Sequence, residues 1–208
     1  MSTFTDPRVK KAFVARPAIK FPANLAMVRI QESGYRSESA QGVGSGAYSV
    51  VTARDIETEQ DIDTISKLHG VGGVVTLNRL LLPKSLSSDL DLREAAAKLQ
   101  TDAILIYTIA TEFSDNEVIA PLTTLTLGLA PNNRYKINST ASAILMDTKT
   151  GYIYGALEEG DSRAGLTIAW GSSSAIDAAR KKAERAAYDK LLASFNPFWT
   201  RIYNRFHK

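Results

Sequence analysis

The stretch LREAAAKLQTDAILIYTIATEF, Leu92 to Phe113, decides how the rest of the chain is read. Leu92, Ala95, Ala96 and Leu99 fall on one helical stripe. Glu94 and Lys98 pair one turn apart on the opposite side. Ser88, with Asp91 three residues on, opens that helix as a capping box, and the acids near its start and Lys98 near its end suit the helix dipole. Thr101-Asp102 then turns the chain into Ala103–Glu112, whose apolar run AILIYTIA suits a strand covered on both faces. The stretch reads as helix, turn and central strand, with alanines that let the helix lie close to a sheet. It contains nothing reactive.

Working outward, LAMVRI (Leu25–Ile30) is a first strand, followed by the Gly- and Ser-rich loop GYRSESAQGVGSG. Ala47–Ala53 is a second strand. Thr58 and Asp61 open a helix with Ile62, Ile65 and Leu68 on one face, and Gly70 stands where a left-handed cap is wanted. Val74–Leu82 reads as a third strand stopped by Pro83. On the C-terminal side, YKINSTASAILMDTKTGYIYGALEEG reads as a hairpin around DTKTG, with Gly151 closing the turn. SRAGLTIAW is expected to add one more strand. A long helix capped by Ser173 or Ser174 follows, with Ile176, Ala179, Ala183, Ala187 and Leu191 on one face, ending at Pro197 before the aromatic, basic tail FWTRIYNRFHK. Strands and helices do not alternate, which predicts an α+β fold: a mixed, largely antiparallel sheet, helices packed on it, and a long Ala-rich C-terminal helix. Residues 1–24, punctuated by Pro7, Pro17 and Pro22, read as a basic tether, and residues 25–208 as a single domain.

The 208 residues contain no cysteine, which removes disulfides, thiolate catalysis and cysteine-ligated metals. No run of 18 apolar residues is present, and MSTFTDPRVKK has no hydrophobic signal core. The two histidines offer little: His69 suits a helix end and His207 lies at the terminus. Asp89, Asp91 and Glu94 are explained by the start of a helix rather than by calcium. GVGSG leads into a strand and GVGG follows a helix, so neither has the strand-to-helix context of a phosphate loop. The acids Glu158, Glu159 and Asp161 would serve a hydrolase only if a deep pocket held them. No catalytic residue, metal or cofactor is therefore expected.

Two features point to recognition instead. Ile119 to Pro131 is apolar and falls outside the helical stripes. Ile119, Leu122, Leu125, Leu127 and Leu129 would bind a protein partner if exposed, and form core if covered. Charge is the second feature. The net charge is +3, yet residues 1–24 carry five basic groups against one acid and residues 174–208 eight against three, around an acidic middle. Arg180, Lys181, Lys182, Arg185, Arg201 and Arg205 are candidates for binding an anionic surface, a polyanion or a membrane. Nucleic acid is the less favoured ligand, because Trp199, Tyr203 and Phe206 read as core packing.

The order of pieces resembles a group of bacterial periplasmic and outer-membrane lipoproteins. The group includes the curli-secretion lipoprotein, the penicillin-binding-protein activator lipoprotein and the N-terminal domain of the Tol propeller protein. The resemblance rests on LAMVRI, on LREAAAKLQTDAILIYTI with Asp102, on AILMDTKTGYIYGALEEG with Asp147, Thr150 and Gly151, and on the Ala-rich helix from Ser174. It spans roughly residues 25–195 and implies a non-catalytic cell-envelope domain that binds envelope proteins or assembles with copies of itself. It also implies a periplasmic location, anchored to the outer membrane by a lipid on an N-terminal cysteine. No such cysteine is present. A leader ahead of Met1 that ends in a lipid-modified cysteine would reconcile the two, and without any signal peptide upstream the expectation becomes a cytoplasmic protein.

Overall fold

A computed structural model describes residues 6–117, 133–167 and 173–207. The helix-to-strand stretch folds as read. Helix α3 (Asp89–Lys98) is capped by Ser88, whose backbone N–H is taken at 2.9 Å by Asp91 Oδ2. Leu92, Ala95 and Ala96 are buried, and Lys98 meets Glu94 at 3.0 Å. The following strand, β7 (Ala103–Glu117), runs longer than expected, 15 residues.

Around β7 the chain builds one large sheet. Strand β1 (Ala23–Gln31) lies parallel to β7 and, on its other edge, is shared between β5 (Val71–Thr76, parallel) and β4 (Ser49–Val51, antiparallel). On the far side of β7, β8 (Asn133–Asp147) and β9 (Ile153–Thr167) are antiparallel. The order β2-β4-β1-β7-β8-β9, with β2 at Gly42–Val43, makes β9 an edge strand. A two-stranded parallel ladder joins β3 (Ser45–Gly46) to β6 (Ser85–Leu86). This is α+β, with a mixed, mostly antiparallel sheet and a long C-terminal helix, α4 (Ser173–Phe206), packed on it.

Alternation along β7 feeds two cores. Ala103, Leu105, Tyr107 and Ile109 join Leu25, Met27 and Leu145 under α4, whose Tyr188, Leu191, Phe195 and Trp199 cover them. Ile104 and Ile106 turn the other way, to Ala26, Val28 and the α3 stripe. Helix α2 (Glu59–Ser66) has the Thr58–Asp61 capping box, and Gly70 beyond it has φ +82°.

Four expectations are corrected. Val74–Leu82 is not one strand: β5 ends at Thr76, and Asn78 caps a short 3-10 turn at Arg79–Leu81 by accepting the Leu80 N–H at 2.9 Å. Ser162–Thr167 of SRAGLTIAW is not a separate strand, since β9 runs unbroken to Thr167 and stays registered on β8, and the rest of the stretch lies outside the described residues. Helix α4 does not stop at Pro197 but continues to Phe206. Pro197 is on the exposed side, where water can satisfy the carbonyl it strands, while Phe198, Trp199 and Ile202 are buried. Burying those three side chains gains about 1.5–3 kcal/mol each, more than the ~3 kcal/mol that proline costs. Finally, the basic segment read as a tether rather than an element contains helix α1 (Pro7–Val14).

Candidate functional site

The fold brings the N-terminal arm, at Ala18 to Phe21, against the β8–β9 turn and the C-terminal end of α4. Asp147, fully buried at the close of β8, organises the junction. Its Oδ1 accepts the N–H groups of Lys149 and Thr150, both at 2.9 Å, which shapes the hairpin turn. Its Oδ2 accepts the Ala18 N–H and the Tyr154 hydroxyl, both at 2.7 Å. The Tyr154 oxygen in turn accepts the Ile19 N–H at 3.0 Å. Burial first, and the bond to Asp147 second, raise the Tyr154 pKa, so the phenol stays protonated and able to donate.

From this clamp the arm packs against the end of α4. The Phe21 ring meets Trp199 and Tyr203 edge-on at 5.7 and 5.0 Å, and the Trp199 indole donates to the His69 carbonyl at 2.9 Å. His207 stacks on Tyr203, and Tyr154 faces Phe206 at 5.3 Å. Arg201 and Arg205 are exposed and flank an open hollow of about 290 Å³ lined by Tyr154, Phe198, Ile202 and Phe206. Each guanidinium lies over a neighbouring ring, Arg201 on Phe198 and Arg205 on Phe206.

The other basic residues proposed for an anionic surface are placed differently. Arg180 is 8% exposed. It bonds Glu184 at 2.7 Å, Asp177 at 2.8 Å and Asp55 at 3.3 Å. Arg29, also buried, reaches Asp55 at 2.9 Å and Glu184 at 3.2 Å. Glu184 additionally accepts the Thr111 hydroxyl at 3.0 Å. Burial would raise the Asp55 pKa, but the Ser39 hydroxyl and both arginines outweigh it, and Asp55 is held below the usual aspartate value. Glu184 thus has three donors on it, and the network fastens α4 to β1 and to the segment after β4. Lys181 pairs with Asp177 at 3.1 Å. Arg185 holds Asp61 at 2.8 Å and Asp189 at 2.6 Å, joining α4 to α2. Lys182 is exposed. The structure therefore brings Arg201 and Arg205 together, turns Arg180 and Arg185 toward carboxylates, and leaves Lys182 on a different turn.

Ile119, Leu122, Leu125, Leu127 and Leu129 lie outside the described residues. The strands that lead to them are registered to their last pair, Glu117 with Asn133. The acids Glu158, Glu159 and Asp161 do not converge. Glu158 accepts from Ser142 on the α3 face of the sheet, Glu159 from Ser194 on α4, and Asp161 pairs with Arg163 at 2.7 Å and Lys190 at 3.0 Å. Among the described residues no cluster of His, Asp or Glu has the arrangement to hold a metal ion.

Sequence reasoning missed Asp147 as the anchor of the arm and Glu184 as the hub of the ion network. The D-x-x-T-G pattern pointed to the turn, but nothing local signalled the contact with Ala18.

Fold and site together define a small α+β domain whose N-terminal arm is clamped at Ala18 and Ile19 beside a basic, aromatic helix end. No family model matches the chain, and no curated protein matches it in sequence. In structure it resembles protein XCC0632 from Xanthomonas campestris, described by the family model DUF330, at 10% identity and a TM-score of 0.44, covering 89% of each chain. It also resembles PelC from Paraburkholderia phytofirmans, solved as a dodecamer, at 8% identity and a TM-score of 0.37 over 86% of this chain and 93% of that one. A third likeness is the hypothetical protein CT253 from Chlamydia trachomatis, at 11% identity and a TM-score of 0.29 over 86% of this chain and 95% of that one.

Proposed function

We propose that the protein is a non-catalytic cell-envelope lipoprotein ectodomain that acts through protein–protein contact, periplasmic and held at the outer membrane. Residues 1–24 are its tether, of which the part from Ala18 onward is docked. The observation that carries this reading is the clamp: Asp147 and Tyr154 hold Ala18 and Ile19 at one fixed point of the body. A body held in this way suits a role in presenting a surface to an envelope partner or to further copies of itself. Ile119, Leu122, Leu125, Leu127 and Leu129 are the proposed contact residues. Deleting Leu122 to Ala130 should abolish capture of a partner from envelope extracts while leaving the unfolding temperature unchanged. A loss of the fold on deletion would show the segment to be core and remove it as the contact surface.

A second reading, binding to an anionic surface, is favoured by the two exposed guanidinium groups that flank the hollow at the end of α4. Its residues are Arg201 and Arg205, with Lys182 as a lesser contributor. Such binding falls steeply with salt, so affinity for a polyanion such as heparin that is equal at low and high salt removes this reading.

A further inference from the structure

Most basic groups of α4 are held by carboxylates: Arg180 by Glu184, Lys181 by Asp177, Arg185 by Asp61 and Lys190 by Asp161. Arg201 and Arg205 differ. Both are exposed, and among the described residues their guanidinium groups meet only aromatic rings, those of Phe198 and Phe206. They stand one turn apart, on the same face of the helix. A guanidinium lying over a ring is steadied there while its N–H edge stays free to donate. Beside them is the open hollow of about 290 Å³, lined by Tyr154, Phe198, Ile202 and Phe206 and completed by Gly155 and Ala156 of β9. An apolar recess with two charged donors at its rim has the form of a site for one side chain and one anion.

We propose that this hollow takes the carboxyl terminus of a partner polypeptide. The last side chain, large and apolar, fills the recess, and the terminal carboxylate accepts from Arg201 and Arg205. Charge complementarity selects this occupant. The two guanidinium groups have no carboxylate of their own among the described residues, and a chain end brings an anion and a side chain on one residue. A polyanion would meet the arginines but leave the recess in water, and a flat bilayer surface would not enter it. The residues before the terminus lie along β9, whose outer edge faces no other strand among the described residues. The proposal rests on the reading that the domain acts through protein contact, and it gives the two arginines a discrete anion in place of a diffuse one.

The test uses the full chain and short fluorescent peptides of alternating threonine and valine that end in phenylalanine, made with a free carboxylate or as the terminal amide. Fluorescence anisotropy reads the binding. The free acid is expected to bind about tenfold or more tighter than the amide. Replacing the final phenylalanine with glycine should weaken the free acid by about tenfold or more. R201A/R205A should bind acid and amide equally, with the unfolding temperature unchanged because both side chains are exposed. A structural role of the arginines would not remove that discrimination. Equal binding of acid and amide to the parent protein, or binding of neither, overturns the proposal. If the parent ignores both peptides while R201A/R205A loses binding to heparin, the anionic-surface reading stands and the proposal falls. Deleting Leu122 to Ala130 tests the wider protein-contact reading by partner capture, so either can fail alone.

Discussion

The buried Asp147 carboxylate accepts the main-chain N–H of Ala18 at 2.7 Å, across 129 positions of sequence. The same side chain shapes the hairpin turn that follows it, so one residue sets both the β8–β9 register and the place where the N-terminal arm meets the body. Asp147→Ala should therefore cost about 3 kcal/mol, the range expected when hydrogen bonds to a buried charged group are lost and its donors left unpaired. Urea unfolding measures the loss. Trypsin should also cut after Lys20 faster than in the parent protein, and an unchanged cleavage rate would show that the clamp does not hold the arm.

Glu184 is the hub between Arg29, Arg180 and Thr111. Glu184→Ala leaves two buried guanidinium groups short of a partner and is expected to cost about 3–5 kcal/mol. Glu184→Gln keeps some of the hydrogen bonds and should cost less. Thermal unfolding of the two variants side by side checks the order.

The same network predicts an acid sensitivity. Asp55 and Asp61 are both held below their ordinary value. Burial opposes this, but Ser39 and the arginines prevail at Asp55, and Arg185 and Thr58 prevail at Asp61. A carboxylate with a depressed folded pKa contributes stability that is fully present above its unfolded value, near 3.9, and is lost as pH falls through the folded value. Urea midpoints should be flat from neutral pH down to about pH 5 and then drop below pH 4. A flat profile down to pH 3 would contradict the assignment.

Pro197 sits inside α4, nine residues before its end, on the exposed side. Replacing it with Ala restores one helical N–H and removes the ring's clash with the preceding turn. Pro197→Ala is expected to stabilise the protein by about 1–3 kcal/mol, read as a raised unfolding temperature.

Gly70 has φ +82°, and a Cβ there would run into the Tyr203 ring. Gly70→Ala carries both the left-handed backbone cost and overpacking against the aromatic end of α4, together about 2–4 kcal/mol. Near-UV circular dichroism should report the displaced Tyr203 and Trp199 even where the fold survives.

What was legible in the sequence follows the range of the interactions. Ser88 with Asp91 and Thr58 with Asp61 are pairs three residues apart, and both capping boxes form. The alternation in AILIYTIA was equally readable, since β7 presents one set of residues to each core. Pro197 misled because a local penalty was weighed without the aromatic burial beyond it. Ala18 with Asp147 and Arg29 with Glu184, 155 positions apart, leave no periodicity or motif. Arg180 and Arg185 looked like surface charge for the same reason: their carboxylate partners at Asp55 and Asp61 are far off in sequence.

The placement of the arm has a mechanical consequence. β1 begins at Ala23, directly after the clamp, and lies in the middle of the sheet with parallel neighbours on both edges. A pull on the N-terminal arm is first taken by the Ala18 and Ile19 contacts and then runs along β1. It loads the hydrogen bonds to β5 and β7 together in shear instead of peeling them one at a time. A domain held by this arm would thus meet tension along a strand that is bonded on both edges.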